Sequence, residues 1–355
     1  MTPHSGASDG FAVMRRRCEE AAARPLAGMA VQSGVLAGRN FSLQLTGSAL
    51  TAAIGPSLSH LAGAPAKRDP NLRPGVALWD CEATAITRPD VPDGADWVAT
   101  GEGWRVTSHG QGRYLCEERP ASLLWLDRRE AQLFGCFATA AGLGCADRAR
   151  PLQRMMSELC RSLGIQEIHA GLVGTDDRGV LLVGAGGRGK TTASLDALHG
   201  GLRFLGDDSV AIGEDSANRL CGYSLYASAR VRPQQLSRWP AFRGHWQYPA
   251  PPEEKALLQP HSFIPQSLAC SVKIAAIAMP VVAGRGVRVE RTSGLAAFHA
   301  LVHESRDNRR FGLAASEFRR LARLTRTIPC FHLEVGDDPA DVATAIGSLI
   351  DRRAA

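Results

Sequence analysis

The chain has 355 residues, of which 45% are apolar, 21% charged and 6% aromatic, enough for one large domain or two smaller ones. No apolar run approaches the roughly 18–20 residues that cross a bilayer, and the basic cluster at 15–17 runs into Glu19 and Glu20 instead of a signal-peptide core, which points to a cytoplasmic protein without a membrane partner. Nine scattered cysteines form no C-x-x-C pair, and the formal charge of +6 is spread along the chain with the acidic residues, so neither a thiolate metal site nor a nucleic-acid partner is indicated.

Residues 1–36, rich in Ala, Gly, Ser and Arg, lack sustained periodicity and read as a flexible leader. From 37 to 147 the chain reads as a small β-rich domain, with strands at 41–45, 75–79, 104–107, 114–117 and 123–126 and a short helix at 58–62. It contains no catalytic spacing, and its expected role is to recognise a substrate. A second region, 148–355, opens with a helix in which Pro151 takes a first-turn position. Leu152, Met155, Met156, Leu159 and Leu163 recur there at helical spacing until Gly164. Apolar runs at 165–173 and 179–183 then flank a turn-rich segment, which predicts a β-hairpin. A turn centred between Asp176 and Asp177 sets His169 opposite Gly184.

The second hairpin strand enters Gly184-Ala185-Gly186-Gly187-Arg188-Gly189-Lys190-Thr191, a match to G-x-x-x-x-G-K-[ST], and a helix is predicted from Thr192 onward. Glycines let successive backbone N–H groups curl round an anion, and the helix start adds partial positive charge. Lys190 is placed to reach the outer phosphates of ATP and Thr191 to ligate Mg²⁺. The chain has 41 basic residues but its only lysines are Lys67, Lys190, Lys255 and Lys273, so a lysine at this motif position is informative. Gly200-Gly201 stops the helix, and a strand at 202–205 ends in Gly206-Asp207-Asp208. Parallel pairing of the strands before and after the helix would bring loop and aspartates to one sheet edge, where carboxylates hold Mg²⁺ or accept a proton.

These residues resemble the C-terminal domain of HPr kinase/phosphorylase, and more closely the HPr-kinase-like serine kinases of lasso-peptide clusters. Ile168-His169-Ala170, the loop and Gly206-Asp207-Asp208 carry the resemblance, and Ser224-Leu225-Tyr226-Ala227-Ser228-Ala229-Arg230 is similar to an S-L-Y-x-S-A-[KR] segment of the lasso-associated branch. The resemblance implies an α/β P-loop kinase domain of the PEP-carboxykinase-like type. It implies that Asp207 is the general base for a serine hydroxyl, His169 an aid at the phosphate, and Lys190 a catalytic cation. By the same likeness, residues Gly184, Gly186, Gly187, Arg188, Gly189, Lys190, Thr191 and Thr192 bind nucleotide, Thr191 and Asp208 hold Mg²⁺, and Arg230 meets phosphate or substrate. The chain departs from the HPr kinases proper in having Thr192 where they have Glu, and in lacking their P-G-R-N segment. The departures argue against regulation of sugar uptake through HPr, and the missing segment, with which the reverse phosphorylase activity is associated, argues against that activity.

Helical faces at 295–302 and 311–324, a strand at 331–335, and a final helix capped by Asp338 with Pro339 in its first turn complete the second domain. The function expected is an ATP- and Mg²⁺-dependent kinase of a serine hydroxyl, with the terminal serine of a lasso precursor peptide as partner and self-association left open. A kinase of a small hydroxylated metabolite, and a nucleotide-dependent switch or ATPase that makes no phosphorylated product, remain the alternatives.

Overall fold

The computed structural model describes residues 5–24, 28–65, 75–91, 96–99, 103–251, 254–307 and 313–352. The chain divides into two compact units: 1–143 with 151–164, and 144–150 with 165–355. Among the described residues no helix is long and apolar enough to cross a membrane.

The first unit is built on a nine-stranded mixed sheet. Arg39–Thr46, Gly75–Asp80 and Gln132–Phe137 run parallel at its centre, and antiparallel strands extend it on both sides. The predicted strands are present, but two expectations are corrected. The region expected to be a flexible leader contains an α-helix, Ser5–Ala22, and a strand, Ala30–Leu36. Met14, Cys18 and Ala21 are fully buried with Trp79, Trp125 and Cys136. Their spacing is that of one helix face, and its core becomes visible only once the sheet exists to receive it. The helix predicted at 58–62 lies earlier, at Ser48–Leu58, with a short 3-10 turn, Ser59–Leu61, after it.

A third correction concerns the boundary expected at 148. The segment 144–150 belongs to the second unit, whereas the helix Gln153–Ser162 returns to the first. That helix buries Met155, Met156, Leu159 and Cys160, and Arg154 pairs with the buried Glu117 at 3.2 Å. Helical spacing shows that a face is apolar, not which sheet it will cover.

In the second unit a mixed sheet has its faces covered by helices. Alternate residues of the hairpin divide between two cores: Val173, Val180 and Leu182 pack with the helices Lys190–His199 and Pro339–Asp351, while Leu172, Leu181 and Val183 pack with Gly294–Asp307 and Ala315–Thr327. This is the period-two division of a strand buried on both sides. The long strand Ser271–Val282 pairs in parallel with both Arg178–Leu182 and Cys330–Val335. Asp338 caps the last helix, accepting from Ala340 N at 2.8 Å with Pro339 at its first position. Phe311, counted in one predicted helical face, lies outside the described residues.

The helix after the glycine loop is tied down by a buried polar anchor. Asp196 is fully buried and accepts from Arg238 Nε at 2.8 Å and Nη2 at 2.6 Å, and from Trp239 Nε1 at 2.9 Å. Removing one partner of such a pair strands the other, at a cost of about 3–5 kcal/mol. Asp196→Ala is therefore expected to lower the unfolding free energy by about that amount in urea titration; a change under about 1 kcal/mol would show that the anchor contributes nothing net.

Candidate active site

The hairpin register agrees with the sequence expectation. Gly171 faces Leu182 and Val173 faces Val180, which brings His169, two positions beyond the ladder, level with Gly184. The stretch expected as one strand at 165–173 is broken there. Gln166–Ile168 pairs with Val210–Glu214, Gly171–Gly174 pairs with Arg178–Leu182, and the chain changes partner at His169 and Ala170. Such a change of partner opens a crevice at a sheet edge.

Arg178–Leu182 and Arg203–Gly206 are not neighbours, which corrects the expected parallel pairing. Both lie antiparallel to Gly171–Gly174, which separates them. They therefore point the same way, and the glycine loop and Asp207-Asp208 leave the sheet at one edge by a different route from the one expected.

Gly189 precedes the helix Lys190–His199 with φ 108°, in the left-handed region, and a Cβ there would lie 3.1 Å from Val282 Cγ2. The left-handed backbone favours glycine, and a side chain there would also press on Val282. The N–H groups of the first helical turn have no intrahelical acceptors and remain available to an anion. Lys190 is buried, and its Nζ donates to the carbonyl oxygens of Gly184 and Ala185, the latter at 3.4 Å. Burial lowers its pKa, opposed by the charges of Glu304, Asp208 and Asp207.

The two aspartates occupy contrasting surroundings. Asp207 is 3% exposed, and its Oδ1 has no hydrogen-bond partner. Burial, then repulsion from Asp208, raises its pKa to about 7, against the pull of Thr191, Lys190 and Lys255. Burial also raises Asp208, but the hydrogen bond from His169 and the charge of Arg150 outweigh it and hold the carboxyl below its ordinary value. His169 Nε2 lies 2.9 Å from Asp208 Oδ1, and Arg150 Nη1 lies 3.0 Å from Oδ2. Two carboxyls driven apart in this way divide into one proton acceptor and one permanent charge.

A cleft of about 290 Å³ joins these parts. His169, Gly186, Gly187, Gly189, Lys190, Thr191, Thr192, Asp208 and Arg230 all line it. Arg188 is exposed and does not line the cleft, nor does Gly184. Asp207 lines a shallow depression with Asp208, Arg150, Ser228 and Arg230. Arg150 and Glu304 were not anticipated. Arg150 follows a segment pinned by Ser228, whose Oγ donates to Ala149 O at 2.5 Å. Glu304, buried on the helix Gly294–Asp307, has Oε2 3.9 Å from Lys190 Nζ and 3.8 Å from His169 Nε2. Neither belongs to a spacing motif; a glutamate falling on a helix face otherwise rich in apolar residues was the one available signal.

The donor set fits a magnesium ion. Among the described residues no group of three or more His, Cys, Asp and Glu side chains is arranged to hold a metal unaided. Mg²⁺, however, typically takes one or two carboxylates and a hydroxyl, with phosphate and water completing its shell.

No family model matches the chain, and no curated protein matches it. Among solved structures it is similar to the Hpr(Ser) kinase/phosphatase from Coxiella burnetii, with 14% sequence identity and a TM-score of 0.27, over 52% of this chain and 93% of that one.

Proposed function

We propose that the protein is an ATP-dependent phosphotransferase acting on a hydroxyl group, and that the terminal serine of a lasso precursor peptide is the acceptor to test first. The observation that carries this reading is Asp207: a buried carboxyl with an unpartnered oxygen and a pKa of about 7, beside a phosphate loop. A general base is most effective when its pKa lies near the working pH. A nucleotide-hydrolysing switch also needs a group that positions water, so the fate of the terminal phosphate separates the two.

In this reading the N–H groups of the loop and of the first helical turn hold the outer phosphates, and Lys190 leaves the loop carbonyls for them. The acceptor oxygen attacks the terminal phosphorus, its proton passes to Asp207 Oδ1, and ADP leaves. Thr191 and Asp208 would hold Mg²⁺, which supplies charge neutralisation at the phosphates. His169 and Arg150 keep Asp208 ionised and oriented, and Arg230 meets the phosphate or the acceptor. The first unit is proposed to orient the acceptor.

The test is incubation with γ-labelled ATP, Mg²⁺ and peptides ending in serine, followed by location of the label. Label on the serine is expected, whereas free labelled phosphate alone would indicate a nucleotide-driven ATPase. Label on a small hydroxylated metabolite but not on the peptides would indicate the metabolite kinase. The pH profile gives a second check. Asp207 must be ionised to accept a proton, and the groups acting on it are Asp208, Thr191, Lys190 and Lys255. kcat/KM is therefore expected to be level above about pH 7 and to fall about tenfold per unit below it. A profile flat to pH 5 would remove Asp207 from the base role.

A further inference from the structure

One wall of the cleft is formed by a two-stranded ladder, Ala229–Val231 with Ala256–Leu258. One face of this ladder, made of Ala229, Val231, Ala256 and Leu258, is buried in the core. Arg230 falls on the other face, and Arg232, two residues on, shares it. The register that sets Val231 opposite Ala256 brings Lys255 level with Arg232 at the ladder's end. Arg232 and Lys255 are exposed, both line the cleft with Gln235, and among the described residues neither has an ion-pair partner.

The two carboxylates near the loop already face cations. Asp208 lies against His169 and Arg150, and Glu304 lies near Lys190 and His169. Nucleotide phosphates would face the loop N–H groups, Lys190 and Thr191. Arg232 and Lys255 are thus in excess of what the nucleotide requires, and Lys255 is near enough to Asp207 to act on its charge. Asp208 and Arg230 line both this cleft and the depression that holds Asp207, so an acceptor with its hydroxyl at Asp207 would extend its neighbouring atoms into the cleft lined by these two cations.

We propose that Arg232 and Lys255 form a subsite for a carboxylate of the acceptor, so that the substrate class is a hydroxy-carboxylate, with hydroxyl and carboxylate separated by only a few bonds. A chain-terminal serine has this chemistry, and so does a free hydroxy acid. The inference rests on the phosphotransferase reading, but binding tests it without requiring transfer.

The experiment uses the full chain with Mg²⁺ and a non-hydrolysable ATP analogue. Calorimetry measures binding of an acetylated peptide ending in serine and of N-acetylserine, each as free acid and as carboxamide. For at least one of the two, the acid is expected to bind about tenfold or more tightly than its amide, the scale of a charge-assisted hydrogen bond. In the double variant Arg232→Gln, Lys255→Gln this preference should vanish while the analogue binds within about twofold of wild type; both side chains are exposed, so the variant keeps its fold. Preference confined to the peptide identifies a chain terminus as the source, and equal preference for N-acetylserine identifies a free hydroxy acid. Equal binding of acid and amide, no binding of either, a preference that survives the double substitution, or an equal loss of analogue affinity each overturns the subsite. With ATP in place of the analogue, bound acid that receives no phosphate would overturn the phosphotransferase reading and leave the subsite standing.

Discussion

Asp207→Asn is expected to lower kcat for phosphoryl transfer by roughly 10²- to 10⁴-fold with little change in ATP affinity, because it keeps the shape of the side chain and removes its capacity to take a proton. The same substitution is expected to stabilise the fold. In the native protein the Asp207 pKa is raised from 3.8 to about 7, so the folded state binds the proton more tightly than the unfolded chain. That preference is fully present below about pH 4 and is lost as pH rises to about 7, beyond which the protein carries a buried, under-compensated carboxylate. The cost bounded by the shift is ~4 kcal/mol. The thermal midpoint of Asp207→Asn should therefore exceed wild type at pH 8 and converge with it near pH 4. Asp208→Asn should move the other way, since it removes a carboxylate that His169 and Arg150 stabilise, and it should also weaken the dependence on Mg²⁺. Thr191 also acts on the Asp207 carboxyl, lowering its pKa, so the inverted division of roles is the alternative to test. If Asp207→Asn loses Mg²⁺ dependence while Asp208→Asn loses only rate, the base is Asp208.

Lys190→Ala is expected to reduce kcat/KM for ATP by roughly 10²- to 10³-fold, the scale seen when one preorganised donor to a developing charge is removed. Lys190 is buried beside the loop and already makes charge-assisted contacts with its carbonyl oxygens. No other described lysine takes its place: Lys273 is held by Asp177 at 2.6 Å, and Lys255 stands on the ladder across the cleft. Lys190→Arg should not restore the rate, because a planar fork does not occupy the position of a compact ammonium. The fold should survive, since its local anchor is Asp196 with Arg238 and Trp239. Wild-type rates in Lys190→Ala would mean that the glycine loop does not bind phosphate.

Much of the site's frame is legible in the amino-acid sequence. The glycine loop, the strand before it and the helix after it follow from local rules, because glycine at Gly189 and helix-compatible residues after Lys190 determine backbone conformation within a few positions. The hairpin register that carries His169 to the loop follows from one turn, since antiparallel pairing fixes every later partner. The Asp338 cap and Pro339 at the start of the last helix are equally local.

Other features depend on which surface meets which, and no local pattern specifies that. The spacing of Met155, Met156 and Leu159 shows an apolar face, and the three buried residues Met14, Cys18 and Ala21 stand in a segment without sustained periodicity; only the assembled nine-stranded sheet assigns both helices to the first unit. The insertion of Gly171–Gly174 between two strands that point the same way is likewise a choice among sheet orders with equal local propensity. The gathering of Arg150, His169 and Glu304 round Asp208 and Lys190 is a tertiary product as well. Single polar residues far apart in the chain carry no period, and their roles arise from burial, which strips water from a charge and makes its nearest partner decisive. The sequence alone thus determined the loop and its register with His169, whereas the tertiary structure decided which aspartate is isolated and which is paired.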